Sequence, residues 1–433
     1  MRILYLSQYF PPEVGATQAR AYEMARYLVS AGHRVTMLTE VPNHPSGIIP
    51  PEYRGKLWER SNLDGIDVIR VWVRTSPNKT FSTRMALYLT YMINAALAGL
   101  VLARGRPLRF RSGTPAGRYD VIYATSPPLF VGGAALTLSV LRRTPMVFEV
   151  RDLWPESAVA LGELHSPRAV ALAGKLEKTC YNRARCLVVV TEGIRRRLAE
   201  RGFADKLVLI PNGANTDLFR PEPAAGAALR TELSLAGKFV VLYAGIHGIA
   251  QGLETALEAA RQLKAEPDVH FLFVGEGPKK AELLAAKERL GLANVTMLPE
   301  RPRSDMPAFL SAADVALVPL RRLELFEGAV PSKMFDAWAC GCPVILSIDG
   351  EARRVLEQAD AGLFVEPEDA GQMAQAILHL KGDLALLRRY GDRGRSFVEE
   401  NYSRQQLAAR LEGLLQAVIE SPKGDLRGKR DEP

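Results

Sequence analysis

Short runs of β-branched and aliphatic residues recur along this chain. Each is closed by a loop bearing glycine or proline and followed by a stretch with apolar residues at helical spacing. A strand that feeds a helix and then another strand builds a parallel sheet covered on both faces. Arg2 to Tyr9 (RILYLSQY) is the first run, and the loop PPEVGAT with Gly15 follows it. From Thr17 a helix is predicted with Ala21, Met24, Ala25 and Leu28 on one face, and Gly32 stops it. RVTML, Arg34 to Leu38, is the next strand.

The pattern continues at Asp120 to Ala124, Pro145 to Val150, Cys186 to Val190 and Leu207 to Ile210. Pro211 to Pro223 is irregular and reads as a linker. A second series runs through Phe239 to Ala244, His270 to Val274, Val295 to Leu298, Val315 to Val318 and Pro343 to Leu346. The expected fold class is therefore α/β, with two Rossmann-like doubly wound domains, residues 1–213 and 214–394. Open α/β sheets bind ligands at the carboxyl ends of their strands. With two such domains, those edges are expected to face each other across a cleft.

A length of 433 residues suits two cores rather than one, and 47% hydrophobic with 24% charged residues is a globular composition. The formal net charge of +8 suits nucleic acid, an anionic membrane or a phosphorylated substrate. No zinc-finger spacing or basic–aromatic motif occurs. Arg104, Arg106, Arg109, Arg111 and Arg118 crowd one short region. That is a local patch rather than a nucleic-acid stripe, so no nucleic-acid partner is expected. The four cysteines, Cys180, Cys186, Cys340 and Cys342, form no C-x-x-C pair and are expected to be buried thiols of a cytosolic protein. The start, MRILYLSQYFPP, lacks the apolar run and cleavage site of a signal peptide. Residues 420–433 mix charges with glycine and proline and read as a disordered tail.

Met85 to Ala103 (MALYLTYMINAALAGLVLA) has the length of a membrane span, interrupted by Thr90 and Asn94. Two readings stay open: a buried core helix, or a helix dipping into a membrane face. A true span would split a parallel-sheet domain.

The stretch VPSKMFDAWACGCPVIL, Val330 to Leu346, carries the clearest chemistry. Ser332 is a natural helix N-cap, and Gly341 with Pro343 ends the helix. A helix start with exposed N–H groups holds phosphate, and Lys333 adds a point charge. Asp336, one turn in, is an acceptor for a ribose diol. From spacing alone, a plain dipole-complementing Asp336 and a solvated Lys333 are equally good readings.

The stretch LPERPRSDMPAFLSAADVALVPL, then FEGAVPSKMFDAWACGCPVIL, resembles the nucleotide-sugar site of family 4 glycosyltransferases. PPEVGATQARAYEMARYLVSAGHRVTMLT, EVRDLWPESAVALG and GIHGIAQGLETALEAA resemble the same family. Outside the tail and Arg104 to Arg118, the likeness covers nearly the whole chain. It points to the branch with fucosamine-type transferases of surface-polysaccharide synthesis. The resemblance implies a two-domain GT-B enzyme that retains anomeric configuration, with a helix over 395–419 crossing back to the first domain.

By position, Asp336 matches the family's second acidic residue, which binds the ribose hydroxyls and is usually Glu. The first glutamate of the pair falls at Gly328, with Glu327 one residue early. The backbone N–H groups of Ala329 and Val330 are expected to serve the diphosphate instead, beside Ser332 and Lys333. The family's Arg and Lys in the loop after the second domain's first strand are absent. His247, Gly248 and Gln251 stand there, and Lys333 compensates. Arg301 completes the expected nucleotide-sugar set. On the acceptor side stand Gly15, Arg20, Arg151 and Glu156, with Arg20 directed into the cleft unless it is a plain surface arginine. Asp152 is the catalytic candidate, orienting or deprotonating the acceptor hydroxyl. Its other reading is a turn cap before Pro155. His44 reads as a loop residue rather than a base. With no D-x-D and no Walker A sequence, no metal or cofactor is expected.

The resemblance thus implies transfer of a sugar, an N-acetylated deoxyhexose by expectation, from a nucleotide-diphosphate sugar (UDP-sugar favoured). The acceptor would be lipid-linked or a glycan in O-antigen or capsule synthesis. The enzyme would be cytoplasmic, peripheral on the anionic inner face of the cell membrane. The alternatives are a nucleotide-sugar epimerase on the same fold and a noncatalytic partner in a polysaccharide assembly complex.

Overall fold

A computed structural model describes residues 1–420 apart from 14, 45, 79, 103–117, 161–163 and 165. The chain divides into two compact units: Met1–Pro211 with the chain from Gln405, and Asn212–Arg404.

The first unit is built on β1 (Arg2–Leu6), β2 (Arg34–Glu40), β3 (Trp58–Leu63), β4 (Ile66–Val71), β5 (Val121–Ser126), β6 (Met146–Val150), β7 (Cys186–Val189) and β8 (Leu207–Leu209). Their order is β3-β4-β2-β1-β5-β6-β7-β8, and only the edge pair β3–β4 is antiparallel. Alternation along each strand divides the core in two. Leu4, Leu6, Ile122 and Phe148 face one layer, while Ile3, Tyr5, Val121 and Tyr123 face the other. Helix α1 (Ala16–Ser30) buries Ala21, Met24, Ala25 and Leu28, as its spacing predicts.

The second unit has β9 (Phe239–Ala244), β10 (Val269–Val274), β11 (Val295–Leu298), β12 (Val315–Pro319), β13 (Val344–Ser347) and β14 (Gly362–Phe364). All are parallel, in the order β11-β10-β9-β12-β13-β14. The strand order reverses between β9 and β12 here, and between β1 and β5 in the first unit. At such a switch point the two loops leave in opposite directions and open a crevice for a ligand.

One expectation needs correction. The helix foreseen over 395–419 is two helices. Arg395 to Asn401 finish the helix Leu384–Asn401, whose Val398 lies in the core of the second unit. The chain then bends at Tyr402 and Ser403, where Ser403 bridges Ala214. The helix Arg404–Glu420 follows and packs Leu407, Leu411 and Leu415 into the layer holding Ile3 and Tyr5.

For α2 (Phe81–Val101), where two readings stood open, the structure decides against one of them. It is not a buried core helix, since only Tyr91, Ala95, Ala98 and Gly99 are buried. Among the described residues it is the one helix long and apolar enough to cross a membrane by length and composition. Its polar interruptions are docking contacts. The Thr90 hydroxyl accepts from the Arg74 N–H at 3.0 Å and Asn94 Nδ2 donates to the Trp72 carbonyl at 2.7 Å; beside them the Tyr91 hydroxyl donates to the Leu38 carbonyl at 2.9 Å. These bonds tie one side of α2 to the sheet. The cysteines are free and buried, as expected. The arginines at 104, 106, 109 and 111 and the tail from 421 lie outside the described residues.

Candidate functional site

The switch point of the second unit gathers most of the expected nucleotide-sugar residues. The loop leaving β9 carries His247 and Gly248. The chain leaving β12 runs through the short turn Glu324–Gly328 into the helix Ser332–Ala339. That helix forms because Met334, Phe335, Ala337, Trp338 and Ala339 bury a broad apolar face, leaving Lys333 and Asp336 on its other side. Gly341, at φ +69°, turns the chain out of it.

Lys333 reaches the β9 loop. Its Nζ donates to the Tyr243 hydroxyl at 3.0 Å and lies 4.2 Å from the centre of that ring, a cation–π contact. The same hydroxyl donates to the Ile246 carbonyl at 2.6 Å, which pins the loop. A Cβ on Gly245, at φ +140°, would sit 3.0 Å from Nζ, so the glycine leaves the lysine its place. Burial pulls the Lys333 ammonium down to about 8 against the opposing pull of Asp336.

His247 is fully buried, between Tyr243 and Phe273. Both of its ring nitrogens lack a hydrogen-bond partner. Burial, then Lys280 and Lys333, hold it down to about 4, so it is neutral at physiological pH. A buried, neutral imidazole with two unused polar atoms is costly unless a ligand completes it. Lys280 stands near, its Nζ donating to the Gly275 and Leu298 carbonyls.

The helix start differs in detail from its expected form. Ser332 is the first helical residue, not the cap; Pro331 takes the cap position with no side-chain cap bond. The Ala329 N–H donates to the Phe326 carbonyl at 2.9 Å and is not directed at a phosphate. Val330 and Gly328 are half-buried, while Glu327 is exposed. Arg301 is exposed and does not join the cluster. Arg303, two residues on, does: its Nη2 lies 3.5 Å from Asp336 Oδ1, and its guanidinium sits 4.8 Å from the Phe219 ring centre.

In the first unit, Arg20 is neither exposed nor directed at solvent. It is 1% exposed and gives Glu149 Oε2 two bonds, at 3.0 and 2.8 Å. It also donates to the Pro211 and Ile210 carbonyls. Burial pushes the Glu149 carboxyl up. The Arg20 and Arg151 guanidiniums, with the Thr125 hydroxyl, overrule it and bring it to about 2. Glu149 was not foreseen in the sequence, nor was its pairing with Arg20. Arg151 donates to the Thr17 hydroxyl at 2.6 Å, while its Nε and Nη1 have no partner. Gly15 caps α1, close against the Gln18 side chain. Asp152 accepts from the Ser157 hydroxyl at 2.7 Å. Glu156 is exposed and paired with Arg197 and Arg201, so it belongs to a surface ion cluster.

Among the described residues no group of three metal-ligating side chains occurs. Tyr243, Lys280 and Arg303 are the additions to the expected set. None had a local sequence signal, because each joins the site through contacts made across the sheet.

The family described as "Glycosyl transferase 4-like domain" matches residues 15–213, and "Glycosyl transferases group 1" matches residues 238–383. A protein of Escherichia coli (strain K12) named "Putative colanic acid biosynthesis glycosyl transferase WcaI" is 24% identical over 418 residues, covering 94% of this chain and 98% of that protein. A GDP-mannose-dependent phosphatidylinositol monomannoside mannosyltransferase of Mycolicibacterium smegmatis is 28% identical, over 54% of this chain and 63% of that protein. Among solved structures, a sucrose-phosphate synthase from Thermosynechococcus elongatus superposes with a TM-score of 0.72 at 22% identity, covering 97% of this chain and 99% of that one. Anabaena HepE with UDP and glucose gives 0.70 at 18%, covering 96% and 99%. The two family matches fall in order on the two units, and the chain belongs to the family 4 glycosyltransferases of GT-B fold.

Proposed function

We propose that this enzyme moves a sugar from a nucleotide-diphosphate donor, UDP-sugar favoured, onto a lipid-linked acceptor of surface-polysaccharide synthesis, with retention of configuration. The observation that carries the donor reading is that Lys333 and unpartnered, buried His247 both pack against Tyr243 at the β9–β12 switch point. Lys333, His247 and the N–H groups opening the Ser332–Ala339 helix take the diphosphate, and stabilise the charge that grows as it leaves. Asp336, beside Arg303, takes the ribose hydroxyls. Asp152 orients the acceptor hydroxyl, and Arg151 and Gly15 line the acceptor side. The sugar is assigned as an N-acetylated deoxyhexose on the family branch alone. The enzyme works at the inner face of the cell membrane, and the exposed apolar side of α2 supports that placement.

Thermal shift with UDP, GDP, CDP and dTDP, beside Asp336→Ala, tests the donor site. One nucleotide is expected to stabilise the wild type and fail to stabilise the variant. If none does, the donor site is wrong.

A further inference from the structure

Lys333 and Tyr243 belong to opposite faces of one sheet. The helix Ser332–Ala339 packs Met334, Phe335, Ala337 and Trp338 into the layer that holds Val240 and Leu242. Tyr243 is fully buried in the other layer, with Phe271 and Phe273. The Lys333 stem therefore crosses the carboxyl edge of β9 to reach the phenol. It passes beside Gly245, where a Cβ would stand 3.0 Å from Nζ and 3.6 Å from Cε. That edge borders the switch-point crevice, where open α/β sheets take their ligands.

The phenol oxygen is used twice. It donates to the Ile246 carbonyl at 2.6 Å and accepts from Nζ at 3.0 Å. The same ring lies against the His247 ring, with centres 5.8 Å apart. The loop it pins is also bonded to the chain leaving β10. The His247 N–H donates to the Glu276 carbonyl at 2.8 Å, and the Lys279 N–H donates to the His247 carbonyl at 2.9 Å. Lys333 is thus held by a fixed partner rather than by another mobile stem.

The holder is neutral, and that decides what the contact is for. A carboxylate here would hold the ammonium and cancel its charge, as Glu149 does for Arg20. Burial pushes the Tyr243 phenol up, so it stays un-ionised. Its oxygen and ring face orient the ammonium and leave the charge in place. An ammonium has three donors, and the phenol takes one, so two are left for phosphate oxygens. A parked stem has also lost its rotamer freedom before a ligand arrives, which lowers the cost of binding.

Other charged and titratable groups face Lys333 from three elements. Asp336, on the same helix, opposes the effect of burial and stands beside Arg303. The β9 loop brings His247, held neutral, and the chain after β10 brings Lys280, bound to the Gly275 and Leu298 carbonyls.

We infer that Tyr243 is a positioning residue for the donor: its phenol parks the Lys333 ammonium at the switch point, charged and oriented for the diphosphate. The inference rests on the donor reading above and adds the group that makes Lys333 effective.

The test is a double-mutant cycle on the full chain, read by calorimetry. UDP and GDP serve as separate probes, so that the base does not decide the outcome. Tyr243→Phe keeps the ring in the core and removes the acceptor. It is expected to weaken the nucleotide that binds wild type roughly 3- to 10-fold, the scale of one hydrogen bond. In a Lys333→Met background the same change should cost less than about twofold, because no ammonium is left to place. A second readout needs no ligand. The Lys333 amine, followed by NMR with isotope-labelled lysine and assigned with Lys333→Met, should titrate at lower pH in Tyr243→Phe than in wild type. The lost bond favoured the charged form. The pH at which binding weakens should move down with it.

A merely structural tyrosine would lower the melting temperature and move neither titration. Equal affinity in wild type and Tyr243→Phe overturns the inference. So does an unmoved amine titration, or an undiminished loss in the Lys333→Met background. Binding that depends on Lys333 but not on Tyr243 removes this inference alone. Wild-type protein that binds neither nucleotide removes the donor reading and this inference with it.

Discussion

Each unit holds a cation near the carboxyl ends of its strands, Arg20 buried and Lys333 half-buried, and the two are treated in opposite ways. Arg20 in the first unit is saturated: a carboxylate faces it, and two backbone carbonyls take its remaining donors. Lys333 in the second has only a phenol and its ring, with a neutral, unpartnered imidazole near by. A cation matched inside the protein stabilises the fold and has nothing left to offer a ligand. A cation left under-matched, beside polar atoms left unpaired, is stability forgone for binding. The contrast separates structural from functional charge better than residue type does.

The largest effect that would break this contrast is expected at Glu149. Glu149→Gln leaves Arg20 buried without its counter-charge and should cost about 3–5 kcal/mol in urea unfolding. The pH dependence has the matching sign. Because the folded carboxyl sits at about 2 rather than 4.5, its contribution is full above 4.5 and is lost as pH falls through that window. Wild-type stability in Glu149→Gln would remove the distinction between the units.

Lys333 should behave oppositely. Lys333→Ala is expected to leave unfolding stability unchanged or higher, and to weaken UDP binding roughly 10- to 100-fold by calorimetry. An anion at Nζ raises a group that sits at about 8 in the free protein. UDP binding near that pH should therefore take up protons, and should weaken as pH rises through 8. In Lys333→Arg that pH step should vanish. In the free protein the burial penalty on the charged amine is present below about 8 and fades as pH climbs toward 10.5, so stability rises across that window. A pH-independent affinity would mean that the phosphate does not meet Lys333.

His247 should give the smallest and sharpest signal. Held at about 4, it is neutral from mildly acidic pH upward, so it should add no pH step to UDP binding between about 5 and 7. His247→Phe should lower UDP affinity about 5- to 10-fold, the scale of one neutral hydrogen bond, and His247→Asn should restore part of it. Equal affinities in the two variants would leave the imidazole a packing group.

Most strands were legible because both sheet faces are buried, so each strand is a nearly unbroken apolar run. The misses have physical causes. β3 reads WERSNL, an edge strand exposed on alternate residues, so no apolar run marks it. Its turn into β4 is Asp64–Gly65, both at positive φ, and that Asp-Gly pair was the available signal. β14 is three residues long and exists through its pairing with β13. The helix boundary at Tyr402 was hidden because the helical spacing runs on either side of it. Arg303 lies two residues from Arg301, and which one meets Asp336 depends on the stacking of Arg303 over Phe219.

By itself the sequence determined that there are two mainly parallel sheets, most of their strands apart from β3, β4 and β14, and the helix that presents Lys333 and Asp336. Those follow from local periodicity and capping, whose range is a few residues. Only the tertiary structure decided which charges are spent. Arg20 and Glu149 lie 129 positions apart, and Lys333 and Tyr243 lie 90 apart. Such pairs exist only where parallel strands bring distant loops to one edge. The exposed side of α2 was settled there too, since helical spacing specifies the faces of a helix and packing alone selects the one that is buried.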